Sequence, residues 1–281
     1  MTDHAPIRPL PSNPHYFEFR GEPTVLITSA EHYGAVLNGD FDFEPYLDAL
    51  AEHGFNLTRT FSGTYYEIAG SFGIENNTLA PAPDRYIGPW AKSDDGRYDL
   101  TRWDEAYFER LERFVDLASQ RGIVVELVLF CFWYNDELWH NSPMHIANNV
   151  NGIGDGPRDQ VYAMADDALQ QTQETVTREI VRRLNRFDNV YFELSNEPYS
   201  YHDGTLDWPW HERMAQVIAE VDADLPHRHM VAANVQNGEK MLDAVPPTIH
   251  LVNYHYARPP AVLANYHLSI PIGDNETGFE G

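Results

Sequence analysis

The sequence predicts an α/β chain of the (β/α)8 TIM-barrel class in which seven strands are recognisable and the eighth is missing. Three observations carry that expectation. Short apolar runs rich in β-branched and aromatic residues recur along the 281 residues, as buried parallel strands should. Helical patterns separate them, and strand–helix alternation implies a parallel sheet covered by helices. The two longest connections both follow strands, on the face where barrel enzymes build their sites.

In chain order, HYFEFRGEPTVLIT reads as a hairpin of about residues 15–28, turning at Arg20–Gly21–Glu22–Pro23 and suited to closing the bottom of a barrel. Its second half, Pro23–Thr28, is the first strand. The next strands are expected at Phe55–Phe61, Ile123–Phe132, Asn189–Ser195, His229–Ala233, Thr248–Tyr254 and Ser269–Gly273. Phe43, Tyr46, Leu47 and Leu50 share a helical face, with Gly54 placed as a C-terminal cap. Thr101 and Asp104 resemble a capping box opening a helix that buries Tyr107, Leu111, Phe114, Val115 and Ala118 and stops at Gly122. Val161–Leu184 and Trp208–Val221 are further helices, with a weaker one near Glu239–Ala244. The chain reads as one barrel domain, residues 1–281, cut off after its seventh strand. Such a gap leaves edges to be paired or covered. Either the chain is a fragment, or another segment or an oligomeric partner fills the gap.

Composition narrows the partners. Nineteen Lys and Arg against 43 Asp and Glu give a formal charge of −24, which repels nucleic acid and anionic membranes. No apolar stretch approaches a membrane span, and the N-terminus lacks a signal-peptide core, so the expected location is cytoplasmic. The one cysteine, Cys131, cannot form an internal disulfide or a multi-thiolate metal site. Neither a cofactor nor a metal is expected. The sequence has no His-Glu-x-x-His and no Gly-x-Ser-x-Gly, and the glycines of Gly152–Gly156 sit inside a loop with the wrong spacing for a dinucleotide turn.

The chemistry concentrates at strand ends. VYFELSNEPYS puts Asn196 and Glu197 at the end of the fourth strand, and PIGDNETGFEG puts Glu276 at the end of the seventh. In a barrel these ends face each other across the top. Opposed carboxyls suit glycoside cleavage, one protonated to donate to the leaving oxygen and one ionised to attack the anomeric carbon. Arg59 lies in an otherwise apolar strand, and a buried guanidinium needs a carboxylate partner, for which Glu193 and Glu276 are candidates. Beside Glu276 it would hold the attacking carboxylate ionised, whereas a pairing with Glu193 alone would be structural. Glu197 calls for an apolar or carboxylate-facing setting that keeps it protonated. Trp133 and Tyr134, after the third strand, are the candidates for stacking on sugar faces, and His32 points at the same face from the end of the first strand.

On Asn196–Glu197–Pro198 after a strand, and Glu276 near Gly278 at the seventh, the sequence resembles the retaining glycoside hydrolases of clan A, the cellulase-like family 5 and its relatives. The resemblance runs from the first strand to Glu276. It implies Glu197 as acid/base, Glu276 as nucleophile and Asn196 as a partner of the sugar 2-hydroxyl. The clan's arginine at the end of its second strand matches Arg59. Its sixth-strand aromatic falls on Tyr254 or Tyr256, with His255 between them, and the clan's usual His-x-Tyr spacing is absent. The expected activity is hydrolysis of β-linked oligo- or polysaccharides by double displacement, with a carbohydrate as the partner. The alternative is a non-catalytic barrel that binds carbohydrate.

Overall fold

The structure, a computed structural model, describes residues 4–198, 208–238, 241–257 and 259–278, with Gln236 described by its backbone only. The chain opens with β1 (Arg8–Leu10), β2 (Asn13–Phe19) and β3 (Glu22–Thr24), an antiparallel sheet with β2 in the middle. Then follow α1 (Phe43–Glu52), β4 (Leu57–Phe61), the two-stranded ribbon β5 (Trp90–Lys92) and β6 (Tyr98–Trp103), α2 (Glu105–Gln120) and β7 (Val124–Cys131). The remainder is α3 (Asp136–Asn141), α4 (Asp167–Leu184), β8 (Val190–Asn196), α5 (Trp208–Ala223), β9 (Val231–Asn237), β10 (Leu251–His255), α6 (Pro259–Asn265) and β11 (Ile272–Glu276).

Six of these strands form one parallel sheet in the order β11-β10-β9-β8-β7-β4. The sheet is strongly curled. Asn275 on edge strand β11 donates to Glu126 on β7 at 2.9 Å and to Glu193 on β8 at 3.0 Å, which a flat sheet would hold far apart. The result is an incomplete (β/α)8 barrel. Its helical layer is held by apolar faces that the sequence spaces for burial, as in α2, where Tyr107, Phe108, Leu111, Phe114, Val115 and Ala118 are all buried. Asp104 caps that helix, accepting from the Ala106 and Tyr107 amides. Thr101, expected to open the capping box, lies instead in β6. Gly54 and Gly122 stand just past α1 and α2 with φ of 77° and 70°, the left-handed geometry that stops a helix.

The N-terminal hairpin plugs the bottom. Phe17 and Phe19 of β2 pack with Leu57, Val124, Tyr191, Met230 and Leu251, residues at or near the starts of the parallel strands. Residues 25–28, expected as the rest of the first barrel strand, form none. Only β3 is a strand there, and it pairs with β2. The following segment is tied to the barrel mainly through Asn56, which accepts from the Ile27 amide at 2.8 Å and donates to the Val25 carbonyl at 2.9 Å. This side chain, with one main-chain bond from the Asn56 amide to the Ile27 carbonyl at 3.1 Å, stands in for a ladder. Two further expectations shift. The last strand begins three residues later than Ser269, so that Glu276 becomes its final residue. Met241–Ala244 are not helical, and residues 239 and 240 lie outside the described residues.

Candidate active site

Side chains alternate across a strand, so β10 sends Asn253 and His255 to the barrel axis and Tyr254 outward. Asn253 accordingly donates to Glu126 and Glu193, each at 2.7 Å, while Tyr254 is fully buried in the apolar layer. Tyr254 therefore does not reach the site, and the sixth-strand tyrosine that does is Tyr256. The register between β10 and β11 slips at their ends, where His255 pairs with Glu276 directly after Tyr254 pairs with Asp274. That bulge lets Asn275 and Glu276, neighbours in sequence, both point to the axis.

Three layers of polar groups follow up the axis. At the base, Arg59, Glu126 and Glu193 are completely buried. The parallel register places Arg59 opposite Glu126. Arg59 Nη2 donates to Glu193 Oε1 and, at 2.7 Å, to Asn196 Oδ1. Its Nη1 lies 3.6 Å from Glu276 Oε2, so one guanidinium serves both carboxylates considered for it. Burial pushes both lower carboxyls up. Arg59 overcomes this at Glu193 and holds it below the usual range, whereas Glu126, also facing the Glu193 charge, ends well above it. A single cation cannot neutralise two buried carboxylates and Glu276 together, so a proton on Glu126 closes the balance.

The middle layer is His255, fully buried, with Nδ1 3.0 Å from Glu197 Oε1 and 3.4 Å from Glu276 Oε2. The upper layer is the carboxyl pair itself. One oxygen of Glu197, one of Glu276 and a nitrogen of His255 all lie within 4.8 Å of one another. Among the described residues this is the one group of three or more His, Cys, Asp or Glu side chains close enough to hold a metal ion. A metal there would occupy the space between the two carboxylates.

Each carboxylate has its own donors. Tyr134 donates to Glu197 Oε2 at 2.6 Å, and Asn196 Nδ2 donates to the Tyr134 hydroxyl at 2.9 Å. Glu197 sits in left-handed backbone, φ 48°, with its amide donated to Asn234 Oδ1 at 2.8 Å. Such backbone costs about 1 kcal/mol or more in a non-glycine residue and is found where a side chain must be aimed. Tyr256 donates to Glu276 Oε1 at 2.6 Å, and Tyr33 donates to Glu276 Oε2 at 3.4 Å. Burial pushes Glu197 up, but the hydrogen bonds from His255 and Tyr134 prevail and hold it below the usual carboxylate range. Of the apolar or carboxylate-facing setting expected for Glu197, the facing carboxylate is present in Glu276. The donors on Glu197 outweigh it, however, and do not keep Glu197 protonated.

Above the pair opens a cavity of about 580 Å³ lined by Glu197, Glu276, Asn196, Tyr134, Tyr256, Tyr33 and His32. His32 is half-buried, its ring packed on Phe41 and Tyr46 at 4.6 and 5.0 Å. Trp133 is a correction. It is completely buried, its ring packed between Tyr65 and Trp139 at 5.0 and 5.3 Å, and it does not line the cavity. Its large ring is worth more under α3 than against solvent. Sequence reasoning missed Tyr33, Glu67, Phe72, Glu126 and Asn237. Glu126 carries a legible signal, a charge inside the apolar run IVVELVLFCF, the same signal that singles out Arg59. The others lie in loops or at a strand end and enter the site only through the fold.

Among solved structures the chain is similar to a protein from Bacteroides vulgatus ATCC 8482. They share 20% identity and a TM-score of 0.65, over 99% of this chain and 49% of that one. A variant of the family 5 mannosidase from Rhizomucor miehei matches with TM-score 0.62 and 15% identity, over 96% and 72% of the two chains. The endo-1,4-β-mannanase of the same organism matches with TM-score 0.60 and 12% identity, over 89% and 71%. At these identities the likeness is one of fold, and the chain spans about half the length of the first of them. No curated protein sequence matches it. The family model for cellulase, glycosyl hydrolase family 5, matches residues 21–256, ending twenty residues short of Glu276. A match over most of the chain places the protein in the cellulase family, glycosyl hydrolase family 5.

Proposed function

We propose that the protein is a retaining β-glycosidase in which Glu276 is the nucleophile and Glu197 the acid/base. The observation that carries this reading is the carboxyl pair over a cavity, with oxygens within 4.8 Å of one another. Retaining enzymes hold their carboxyls about 5–5.5 Å apart, and inverting enzymes about 6.5–9.5 Å, to admit a water between them.

In the first step a Glu276 oxygen bonds to the anomeric carbon while the bond to the leaving oxygen breaks. Its electron pair departs with that oxygen, which takes the proton from Glu197. In the second, Glu197 removes a proton from water, the water oxygen bonds to the anomeric carbon, and the Glu276 ester breaks to return the carboxylate. Two inversions leave the configuration unchanged. Arg59, Tyr256 and Tyr33 steady the charge on Glu276 before it attacks and again once its ester breaks. Asn196, fixed by Arg59 and Tyr134, presents its amide to the sugar. Because donors hold Glu197 low, turnover depends on its protonated fraction and should favour acid pH.

The substrate proposed is a neutral β-linked oligo- or polysaccharide. Mannosidases and a mannanase among the structures of similar fold make β-mannosides the first to try. The test is hydrolysis of aryl β-glycosides and β-linked oligosaccharides by this chain, with Glu197→Ala and Glu276→Ala in parallel. We expect turnover to fall by about 10³-fold or more in both, with azide restoring Glu197→Ala on activated substrates. Turnover surviving Glu276→Ala rules out the assignment. Sugar binding with no turnover by the unaltered chain points to the carbohydrate-binding reading.

A further inference from the structure

We infer that the Phe72 ring is the stacking platform for the sugar that departs, the subsite on the leaving-group side of the bond. The inference rests on the retaining reading and adds to it a residue that fixes which leaving groups are accepted. Phe72 lines the same cavity as the two glutamates, yet it is 51% exposed, unlike the buried aromatics of the core. Its backbone is left-handed, φ 56°, between Gly70 at 86° and Gly73 at 69°. A bulky side chain there costs about 1 kcal/mol or more relative to glycine. Packing on Tyr134 uses one part of the ring, and the rest stays open to the cavity.

The position of the ring decides which sugar it meets. Phe72 stands edge-to-face on Tyr134, with centroids 5.1 Å apart at 80°, and Tyr134 is itself edge-to-face with Phe132 at 5.0 Å. The Tyr134 hydroxyl donates to Glu197. Phe72 is thus built onto the acid/base side of the cavity, whereas Tyr33 and Tyr256 attend Glu276. The acid/base gives its proton to the oxygen that leaves, so the departing sugar lies on this side. An exposed aromatic face, held by a row of rings, matches the apolar C–H face of a pyranose.

The test separates the two sugars of the substrate. A β-glycosyl fluoride fills the glycone subsite and departs as fluoride, too small to touch Phe72. A disaccharide of the same glycone fills both subsites. The unaltered chain, Phe72→Ala and Phe72→Trp are compared on β-mannosyl fluoride with β-mannobiose, and on β-glucosyl fluoride with cellobiose. We expect Phe72→Ala to lower kcat/KM about tenfold on the disaccharide that the unaltered chain cleaves, to leave the fluoride within about twofold, and Phe72→Trp to restore the disaccharide. An equal fall on fluoride and disaccharide, or no fall on either, overturns the inference while leaving the glycosidase reading intact. Inactivity of the unaltered chain on these substrates and on the longer β-linked oligosaccharides alike overturns the glycosidase reading itself.

Discussion

Tyr134 links three observations at the level of single residues. It receives a hydrogen bond from Asn196, donates one to Glu197, and carries the Phe72 ring. Removing its hydroxyl takes a donor from the Glu197 carboxylate, so the pKa of Glu197 rises toward the value burial alone would set. Activity that requires protonated Glu197 is lost as pH rises through that pKa. Tyr134→Phe should therefore move the alkaline limb of kcat/KM to higher pH, and an unchanged limb would remove Tyr134 from that role. The residues that carry this chemistry were legible in unequal measure. Asn196 and Glu197 stand in a short motif after an apolar run, and Arg59 is a charge where a strand should be apolar. Tyr33, Phe72 and Asn237 have no local mark, since only the closing of the barrel brings them to the cavity. Trp133 and Tyr134 look alike in sequence, and it is the direction of the chain after β7 that buries one and presents the other.

Among elements, the parallel strands were legible because burial on both faces writes itself as unbroken apolar runs. Their ends were not, because bulges and side-chain substitutes for ladders leave no pattern. The slip between β10 and β11 is what brings Glu276 to the axis, and Asn56 is what holds the first segment against β4. The inward residues of β4, β7, β8, β10 and β11 meet in the buried layer of Arg59, Glu126, Glu193, Asn253 and Asn275. Its two carboxyls are not equivalent. Glu193, held low by Arg59, contributes stability that is present at neutral pH and is lost as pH falls through its folded value. Glu126, raised by burial, contributes stability that is full in acid and is lost as pH rises through its folded value. Glu193→Gln leaves Arg59 short of its partner and should cost about 3–5 kcal/mol in denaturant unfolding at neutral pH. Glu126→Gln mimics a protonated carboxyl and should cost far less. Equal costs would contradict the division of charge.

For the whole molecule, the cavity and the net charge of −24 describe an acidic body with carboxylates gathered at the top of an incomplete barrel. The barrel class follows from alternation and loop position. The plug of Phe17 and Phe19 at its base is the hairpin that the turn residues announce. What alternation could not supply is the state of the first strand, where Val25 and Ile27 are each 55% exposed and the backbone forms no ladder with β4. The six-stranded sheet nonetheless curls far enough to bring its edge strands together at the site, with Arg59 of β4 within 3.6 Å of Glu276 of β11. Whether that closure makes a working catalyst is read most directly by trapping the covalent intermediate. The chain is incubated with activated 2-deoxy-2-fluoro-β-mannoside and 2-deoxy-2-fluoro-β-glucoside and analysed by intact mass and peptide mapping. The account predicts the addition of one fluorosugar per chain, at Glu276, and none in Glu276→Ala. Labelling of a different residue, or substrate turnover with no covalent adduct, would contradict it.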